Sequence, residues 1–384
     1  MIRIATATAS RDPRSARLRS VAWSLCALLA GMPLASAGNA NASGPPALSR
    51  FERQEPHMGT MTRIVVYAAD RAAAERAMAA GFERIAALDQ ALSDYREDSE
   101  LTRLAARAGQ GPVVVSADLF GVLQASQSLS IRSDGAFDAT SGTLTRLWRG
   151  ARRLSELPAE ERIEQARALC GYRHLHLDAD ARTAMLDLRG MQLDLGGIAK
   201  GYAADEALGA IGRSGVASAL VALGGDIAVS DAPPGMPGWR IEVAPLPLPG
   251  VADRAPAVLH LRHAAVSTAG DAEQWMDVDG RRYSHILDPR NGQPMPGRSS
   301  TTVIARSGLE ADGLDTTAAL LGPEAGTRLV DAVPGAAMRM EHELAGTGIR
   351  LRASARWPRT ADRVYDGNGT AVADVAPALP VRSR

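Results

Sequence analysis

The most informative stretch of the chain is residues 194–205, which read Asp194-Leu195-Gly196-Gly197-Ile198-Ala199-Lys200-Gly201-Tyr202-Ala203-Ala204-Asp205. An apolar run over residues 191–195 precedes the two glycines, and an alanine-rich segment with helical periodicity follows them. This order predicts a strand, a tight turn and the start of a helix. Backbone amides at such a turn can hold a phosphate, and Lys200 adds a positive charge. The spacing matches neither the P-loop nor GxGxxG, so a turn that only packs a helix against a strand is the alternative.

Around this stretch the chain alternates short apolar strands with amphipathic helices. Residues 60–67 predict a strand, and a long helix is expected from about Arg71 to residue 92. Ser99 and Ser116 each precede a helical pattern as N-cap residues. Further strands are predicted at 174–177, 184–188, 191–195, 219–223, 258–261, 264–268 and 301–305, with a helix at 311–321.

The first 37 residues have the composition of a cleaved signal peptide. Five arginines form a basic region, residues 21–30 an apolar region, and Ala35-Ser36-Ala37 a cleavage site. The apolar region is too short to span about 30 Å of hydrocarbon. We therefore expect an exported, periplasmic protein, either free or associated with the inner membrane. A linker over 38–50, one folded domain over 51–356 and a flexible tail over 357–384 are expected to follow.

The equal numbers of positive and negative side chains exclude binding of a ligand through a large net charge on the protein. The 384-residue chain has 43 Lys and Arg against 43 Asp and Glu, so its formal net charge is zero. Proteins that bind nucleic acid through the phosphate backbone carry a strongly basic face. We therefore expect no nucleic-acid partner.

A small polar loop is a candidate ligand contact. Residues 135–142 read Gly135-Ala136-Phe137-Asp138-Ala139-Thr140-Ser141-Gly142 and are too polar for a core strand. An ordinary Asx or ST turn that caps the next helix is the equally weighted alternative.

Two further segments carry chemistry-bearing residues. Asp312 and Thr316 are spaced i, i+4 on a predicted helix, with Asp315 beside them, and this all-oxygen set suits Mg²⁺. Acidic residues that complement the dipole of a helix N-terminus would give the same pattern. His285 lies in a loop-like setting where an imidazole could bind a ligand or accept a proton, although a lone histidine is more often structural.

Seven segments in order together resemble the ApbE family, the FAD:protein FMN transferases. The resemblance covers about residues 56–345. It rests on Met58-Gly59-Thr60, Ser93-Asp94-Tyr95, Gly135-Ala136-Phe137-Asp138, residues 194–205, Leu223-Gly224-Gly225-Asp226, residues 283–292 and residues 311–316.

The resemblance implies a fold and a reaction. The fold would be α+β, with antiparallel sheets flanked by helices and two interlocked subdomains that bind FAD at their junction. The reaction would use Mg²⁺ to transfer FMN from FAD to a Ser or Thr hydroxyl of an acceptor flavoprotein, which can be membrane-associated, and would release AMP. Mg²⁺-dependent hydrolysis of FAD to FMN and AMP, and FAD binding without catalysis, use the same residues and stay as alternatives.

The resemblance also implies roles for individual residues. The main-chain carbonyl of Gly197 would hold the metal with Asp312, Asp315 and Thr316. His285 would lie near the attacking hydroxyl as base or orienting group, and Lys200 would steady the pyrophosphate. The residues expected to contact FAD are Met58, Tyr95, Ala136, Phe137, Asp138, Asp194, Lys200 and His285.

Overall fold

The computed structural model describes residues 2–4, 47–247, 254–270, 275–344, 348–358, 364–366 and 371–372. Its α-helices are α1 (Arg71–Leu92), α2 (Glu100–Ala106), α3 (Ala117–Arg132), α4 (Gly142–Leu154), α5 (Glu160–Arg167), α6 (Ala199–Arg213) and α7 (Gly308–Asp331). Its strands are β1 (Ile2–Ile4), β2 (Ser49–His57), β3 (Thr60–Ala68), β4 (Val113–Val114), β5 (Leu175–Asp178), β6 (Thr183–Leu186), β7 (Ser218–Leu223), β8 (Asp226–Val229), β9 (Trp239–Val243), β10 (Ala257–Arg262), β11 (Ala264–Gly270), β12 (Trp275–Val278), β13 (Arg281–Ser284), β14 (Leu287–Asp288), β15 (Gln293–Pro294), β16 (Ser299–Ala305), β17 (Ala337–Leu344), β18 (Gly348–Ala353), β19 (Val364–Asp366) and β20 (Ala371–Val372).

Local capping sets the starts of the helices. The Ser99 hydroxyl accepts the Thr102 amide at 3.0 Å, and the Ser116 hydroxyl accepts the Leu119 amide at 3.2 Å. Each bond satisfies a backbone donor that has no partner within its helix. The helix starts predicted from these two serines are therefore confirmed.

An eight-stranded antiparallel sheet forms the centre of the molecule, in the order β18-β17-β16-β11-β8-β7-β3-β2. Alternate residues of β3 face opposite sides: Ile64 and Val66 pack with α1, α6 and α7, while Val65 packs against β9 and β10. Every residue of β7 and β16 is buried because both faces of the sheet are covered. These strands therefore lack the polar alternation of a half-exposed sheet.

A second sheet of five strands, in the order β1-β9-β10-β19-β20, packs on the face opposite the helices. One of its pairs, β10 with β19, is parallel, while all pairs in the eight-stranded sheet are antiparallel. The predicted α+β class with antiparallel sheets flanked by helices is confirmed. In the part of the chain that the structure describes, no helix combines the length and apolar character needed to cross a bilayer.

Several connections meet at one end of the large sheet. Residues 58–59 join β2 to β3, and residues 224–225 join β7 to β8. The register pairs Thr62 with Leu223 and Gly270 with Ser300, so the end of β11 and the start of β16 lie at this same end. Motifs far apart in sequence are thereby brought together.

The apolar run over residues 191–195 is not a strand, contrary to the prediction. It makes one isolated bridge, between Gln192 and Ser141, and the amide of Asp194 donates to the carbonyl of Ala139 at 2.8 Å. Its backbone partners therefore come from the polar loop at 135–142. A loop cannot provide the regular ladder that a strand requires.

Some elements lie outside the predicted folded domain of residues 51–356. Strand β2 begins at Ser49, within the predicted linker. Trp357, assigned to the flexible tail, is buried against the second sheet, and β19 and β20 lie further along that tail. Of the predicted signal peptide the structure describes only the backbone of β1, which pairs with β9. The rest of that segment lies outside the described residues.

Candidate functional site

The glycine turn before α6 is organised by two aspartates. The Asp194 carboxylate accepts the amide of Gly196 at 2.7 Å. The amide of Gly201, in the first turn of α6, donates to Oδ2 of Asp312 at 2.9 Å. The anion at this helix start is therefore a carboxylate of α7, whereas the sequence had suggested a phosphate. A carboxylate satisfies the same unpaired amides and the same helix dipole.

Three carboxylates converge beside this helix start. Lys200 donates to the Asp226 carboxylate, and its Nζ lies 4.0 Å from Oδ2 of Asp312. Ser267 of β11 donates to Asp226, and its Oγ lies 2.5 Å from Oδ2 of Asp315. Asp226, Asp312 and Asp315 are each almost fully buried. The cluster thus unites α6, β8, β11 and α7.

The charges in this cluster do not balance. Burial and the nearby Asp226 raise the pKa of Asp312 to about 7, and burial with Asp312 raises the pKa of Asp315 well above its ordinary value. Burial alone would lower the pKa of Lys200, but Asp226 and Asp312 outweigh it and raise the pKa. Lys200 is therefore a fixed positive charge and not a base.

The hydrogen bonds of the Ser267 hydroxyl show the same excess of negative charge. It has one proton but lies within hydrogen-bond distance of two carboxylates, those of Asp226 and Asp315. The two carboxylates can therefore lie this close to one hydroxyl only if one of them is protonated or if a cation neutralises their charge. Buried carboxylates are stable only when they are paired, protonated or bound to a cation.

The predicted metal ligands lie together. Thr316 Oγ1 is 3.1 Å from Oδ1 of Asp315, and Asp312 is one helical turn away from Thr316. A side chain at Gly197 would approach Thr316 Oγ1 and the Phe137 ring at 3.4 Å. Among the described residues, no group of three or more His, Cys, Asp or Glu has the arrangement of a metal site. The donor set that fits Mg²⁺ is two carboxylates, a hydroxyl and a main-chain carbonyl, all hard oxygens.

The polar loop at 135–142 is held from inside by Asp138. Its carboxylate accepts the Thr140 amide at 2.8 Å, the Thr140 hydroxyl at 2.7 Å and the Tyr172 amide at 2.8 Å. Burial raises the pKa of this carboxyl group. The loop thus contains the Asx turn of the alternative interpretation, although Ser141, the N-cap residue of α4, makes no side-chain capping bond. Ala136 and Phe137 are buried, and Phe137 reaches the Gly197 turn.

The remaining predicted site residues, Met58, His285 and Tyr95, lie on three separate connections. Met58 lies in the β2–β3 turn and has a left-handed φ of 49°. Thr60, the first residue of β3, packs against Gly224. His285 is exposed between two buried neighbours. One of those neighbours, Ile286, packs with Ala319 of α7. Tyr95 follows α1 and is 72% exposed.

The model of the ApbE family matches residues 58–340. The chain belongs to the ApbE family.

Curated relatives and solved structures agree with this assignment. The chain is 32% identical over 314 residues to an FAD:protein FMN transferase of Treponema pallidum, covering 78% of this chain and 86% of that protein. It is 30% identical to one from Klebsiella pneumoniae, covering 81% and 89%. The flavin transferase ApbE of Vibrio cholerae superposes with a TM-score of 0.71 at 28% identity, covering 80% of this chain and 98% of that one. The Pseudomonas stutzeri flavinyl transferase ApbE gives 0.70 at 32% identity, covering 80% and 96%.

Sequence reasoning did not anticipate every residue of the candidate site. It quoted Asp226 only as part of a glycine motif, and it assigned no role to Ser267 or Arg149. A buried strand that carries a serine, and a strand that begins with Asp after two glycines, are the signals that could have indicated the first two. Arg149 lies in a helix rich in arginine, a pattern more typical of a solvated face.

Proposed function

We propose that this protein is an Mg²⁺-dependent FAD:protein FMN transferase. It moves FMN from FAD to a Ser or Thr hydroxyl of an acceptor flavoprotein and releases AMP. Membership of the ApbE family and relatives named for this activity support the flavin transfer.

The observation that carries the proposal is the buried pair of Asp312 and Asp315 beside the Thr316 hydroxyl, with Lys200 bonded to the neighbouring Asp226. Such a cluster is costly in a metal-free protein and suits a divalent cation. Asp312, Asp315, Thr316 and the Gly197 carbonyl would hold Mg²⁺, which when bound neutralises charge on a pyrophosphate.

The chain's own residues then position the substrate. Lys200, held at the cluster by Asp226, directs a permanent positive charge to the pyrophosphate. Asp194 shapes the glycine turn, and Asp138 keeps Phe137 beside it. His285, exposed next to the α7 contact of Ile286, accepts or orients the proton of the attacking hydroxyl. In-line attack on the FMN phosphorus breaks the pyrophosphate bond, and AMP leaves.

The test is an incubation of the purified protein with FAD, with and without an acceptor protein that a related FAD:protein FMN transferase modifies. AMP and FMN are separated by chromatography in Mg²⁺ and again in a chelator. We expect AMP to form with Mg²⁺ and acceptor together, with its amount equal to the FMN bound to the acceptor. Equal AMP and free FMN without acceptor would instead establish hydrolysis of FAD, and FAD binding without AMP would establish a non-catalytic binding protein.

We also propose that the protein acts after export, in the periplasm. The basic and apolar regions of residues 1–37 support this location. Fractionation of cells that express the full chain, with mass determination of the mature N-terminus, tests it. A cytoplasmic protein that retains Met1 would contradict it.

A further inference from the structure

The side chain of Arg149 connects three segments of the site. It donates to the Asp94 carboxylate, and its Nη2 lies 3.6 Å from Oδ2 of Asp194. Its guanidinium carbon lies 4.2 Å from the centre of the Tyr95 ring. Asp94 and Tyr95 follow α1, Asp194 precedes α6, and Arg149 itself belongs to α4. From its place on α4, one side chain therefore contacts both the segment that follows α1 and the segment that precedes α6.

The direction of Arg149 is set by its own helix. The neighbouring Trp148 is buried, and its indole N–H donates to the carbonyl of Gly292 at 2.9 Å. Leu144, one turn earlier, is also fully buried. These contacts fix the rotation of α4, so the guanidinium is presented in advance of any ligand.

Arg149 is the shared counter-charge of two carboxylates. The side chains of Asp94 and Asp194 are 8% and 14% exposed, and they share this guanidinium. Burial and the charge of Asp194 raise the pKa of Asp94. Without the guanidinium the two carboxylates would repel each other and separate. A lysine keeps the charge but lacks the planar fork that meets two carboxylates and stacks on a ring.

The Tyr95 ring has a cation on one face and is open to solvent. Arg149 lies over the ring, yet the residue remains 72% exposed. An aromatic ring that is backed by a cation and open to solvent is a surface suited to stacking by a flat aromatic ligand.

We propose that Arg149 is a positioning residue for FAD, which holds the Tyr95 ring and the Asp194 carboxylate in the orientation that receives an aromatic ring system of the dinucleotide. The inference rests on the proposed function, because it assumes that FAD is the ligand. A role in stability alone is the competing explanation, and it predicts a lower melting temperature with unchanged affinity for FAD.

The experiment compares the purified full chain with the Arg149→Ala, Arg149→Lys and Arg153→Ala variants. Arg153 is exposed on the same helix and serves as the matched control. Calorimetry measures the Kd for FAD, and steady-state kinetics with saturating acceptor and Mg²⁺ measures KM and kcat separately. We expect Arg149→Ala to raise Kd and KM by about tenfold or more, with kcat at saturating FAD changed by less than about threefold. Arg149→Lys should restore only part of the affinity, and Arg153→Ala should match the wild type.

A coupling measurement distinguishes positioning from stability. In a Tyr95→Ala background, the effect of Arg149→Lys on Kd should shrink, because one of the two groups it positions is gone. Arg149→Lys with wild-type Kd and KM would overturn the proposal, even if Arg149→Ala fails to fold. A wild-type protein that binds no FAD would refute the proposed function itself, which is a separate result.

Discussion

At the scale of single residues, Asp312 combines a structural contact with the proposed metal site. Its Oδ2 atom accepts the amide of Gly201 at the start of α6, and its charge lies within 4.0 Å of Lys200. The carboxylate is 2% exposed and shares its surroundings with Asp226 and Asp315. Its negative charge is therefore costly to folding but useful for binding a cation.

The Asp312→Asn variant should separate the hydrogen bond to Gly201 from the proposed role of Asp312 as a metal ligand. The amide oxygen can still accept from Gly201, while one of three crowded negative charges is removed. We expect FMN transfer to fall by about 100-fold or more, because the metal loses a charged ligand, with no decrease in the melting temperature of the metal-free protein. Transfer assays and thermal unfolding measure the two effects, and Asp331→Asn, at the exposed far end of α7, is the control. A variant that retains transfer would exclude Asp312 as a ligand.

Asp205 makes the stability of the protein depend on pH. Its carboxylate accepts the amides of Gly308 and Leu309 at 2.7 and 3.0 Å, and so caps α7 from α6. Burial outweighs these two bonds and raises the pKa from 3.8 to about 6. The folded state therefore holds a proton that the unfolded chain releases near pH 4, and stability should decrease as the pH rises from about 4 to 6.

Asp205→Asn should remove this dependence. At neutral pH the variant avoids a buried charge, but it keeps an acceptor for only one of the two amides. We expect the stability advantage of the wild type over the variant to fall by about 1–3 kcal/mol between pH 4 and pH 7. Urea unfolding at both values measures it. If the stability advantage of the wild type over the variant is constant or increases with pH, the folded protein does not hold the Asp205 carboxyl group in its neutral form.

At the scale of elements, helices α6 and α7 cross at a pair of glycines. A Cβ atom at Gly201 would lie 2.0 Å from the carbonyl oxygen of Gly308, and one at Gly308 would lie 2.2 Å from that of Gly201. The same crossing brings Asp312 to the first turn of α6. The glycines therefore set the distance between Lys200 and the proposed metal ligands.

Gly201→Ala should force the two helices apart. We expect a loss of about 3 kcal/mol in the free energy of unfolding, since the obstructing atoms are backbone, together with weaker Mg²⁺ binding. Gly212→Ala on the same helix meets nothing within 4 Å, and we expect it to be neutral or to stabilise by up to about 1 kcal/mol. Denaturant unfolding compares them. Equal stabilities for the two variants would contradict the close crossing.

Sequence patterns predicted the elements that depend on interactions between residues close together in the chain. Ser99 and Ser116 identified two helix starts because an N-cap acts within three residues. The run over 191–195 was mistaken for a strand because its apolar character reflects burial, while its backbone partners lie in a distant loop.

Some residues of the candidate site lie close together in sequence, and others are brought together only by the fold. Asp312, Asp315 and Thr316 share one helix, so their spacing alone suggested a cation site. Asp226 and Ser267 join them only through the pairing of β8 with β11 and the packing of α7 on that sheet. Such a cluster depends on tertiary structure, which no local window of sequence contains.

At the scale of the whole molecule, both faces of the large sheet are covered, and the candidate site lies at one of its ends. The helices cover one face and the second sheet covers the other. The turns at 58–59 and 224–225 and the end of β11 lie at that end. The carboxylates of the candidate site are buried, while His285 and Tyr95 are exposed.

Mg²⁺ should stabilise this whole arrangement. Ligand at about 100 times its Kd adds about 2.7 kcal/mol to the folded state, which for a protein of this size is a rise of roughly 5 °C in melting temperature. Thermal unfolding in MgCl₂, against NaCl of equal ionic strength, measures it. The wild type should show the rise, and Asp312→Asn should show little of it. The same rise in NaCl would indicate general screening of charge instead.

The most direct test of FMN transfer is the intact mass of an acceptor protein after incubation with this protein, FAD and Mg²⁺. The acceptor should gain one FMN on a Ser or Thr, with one AMP released for each, and should gain none in a chelator or with Asp312→Asn. An acceptor of unchanged mass, under conditions in which a related transferase modifies it, would contradict FMN transfer by this protein.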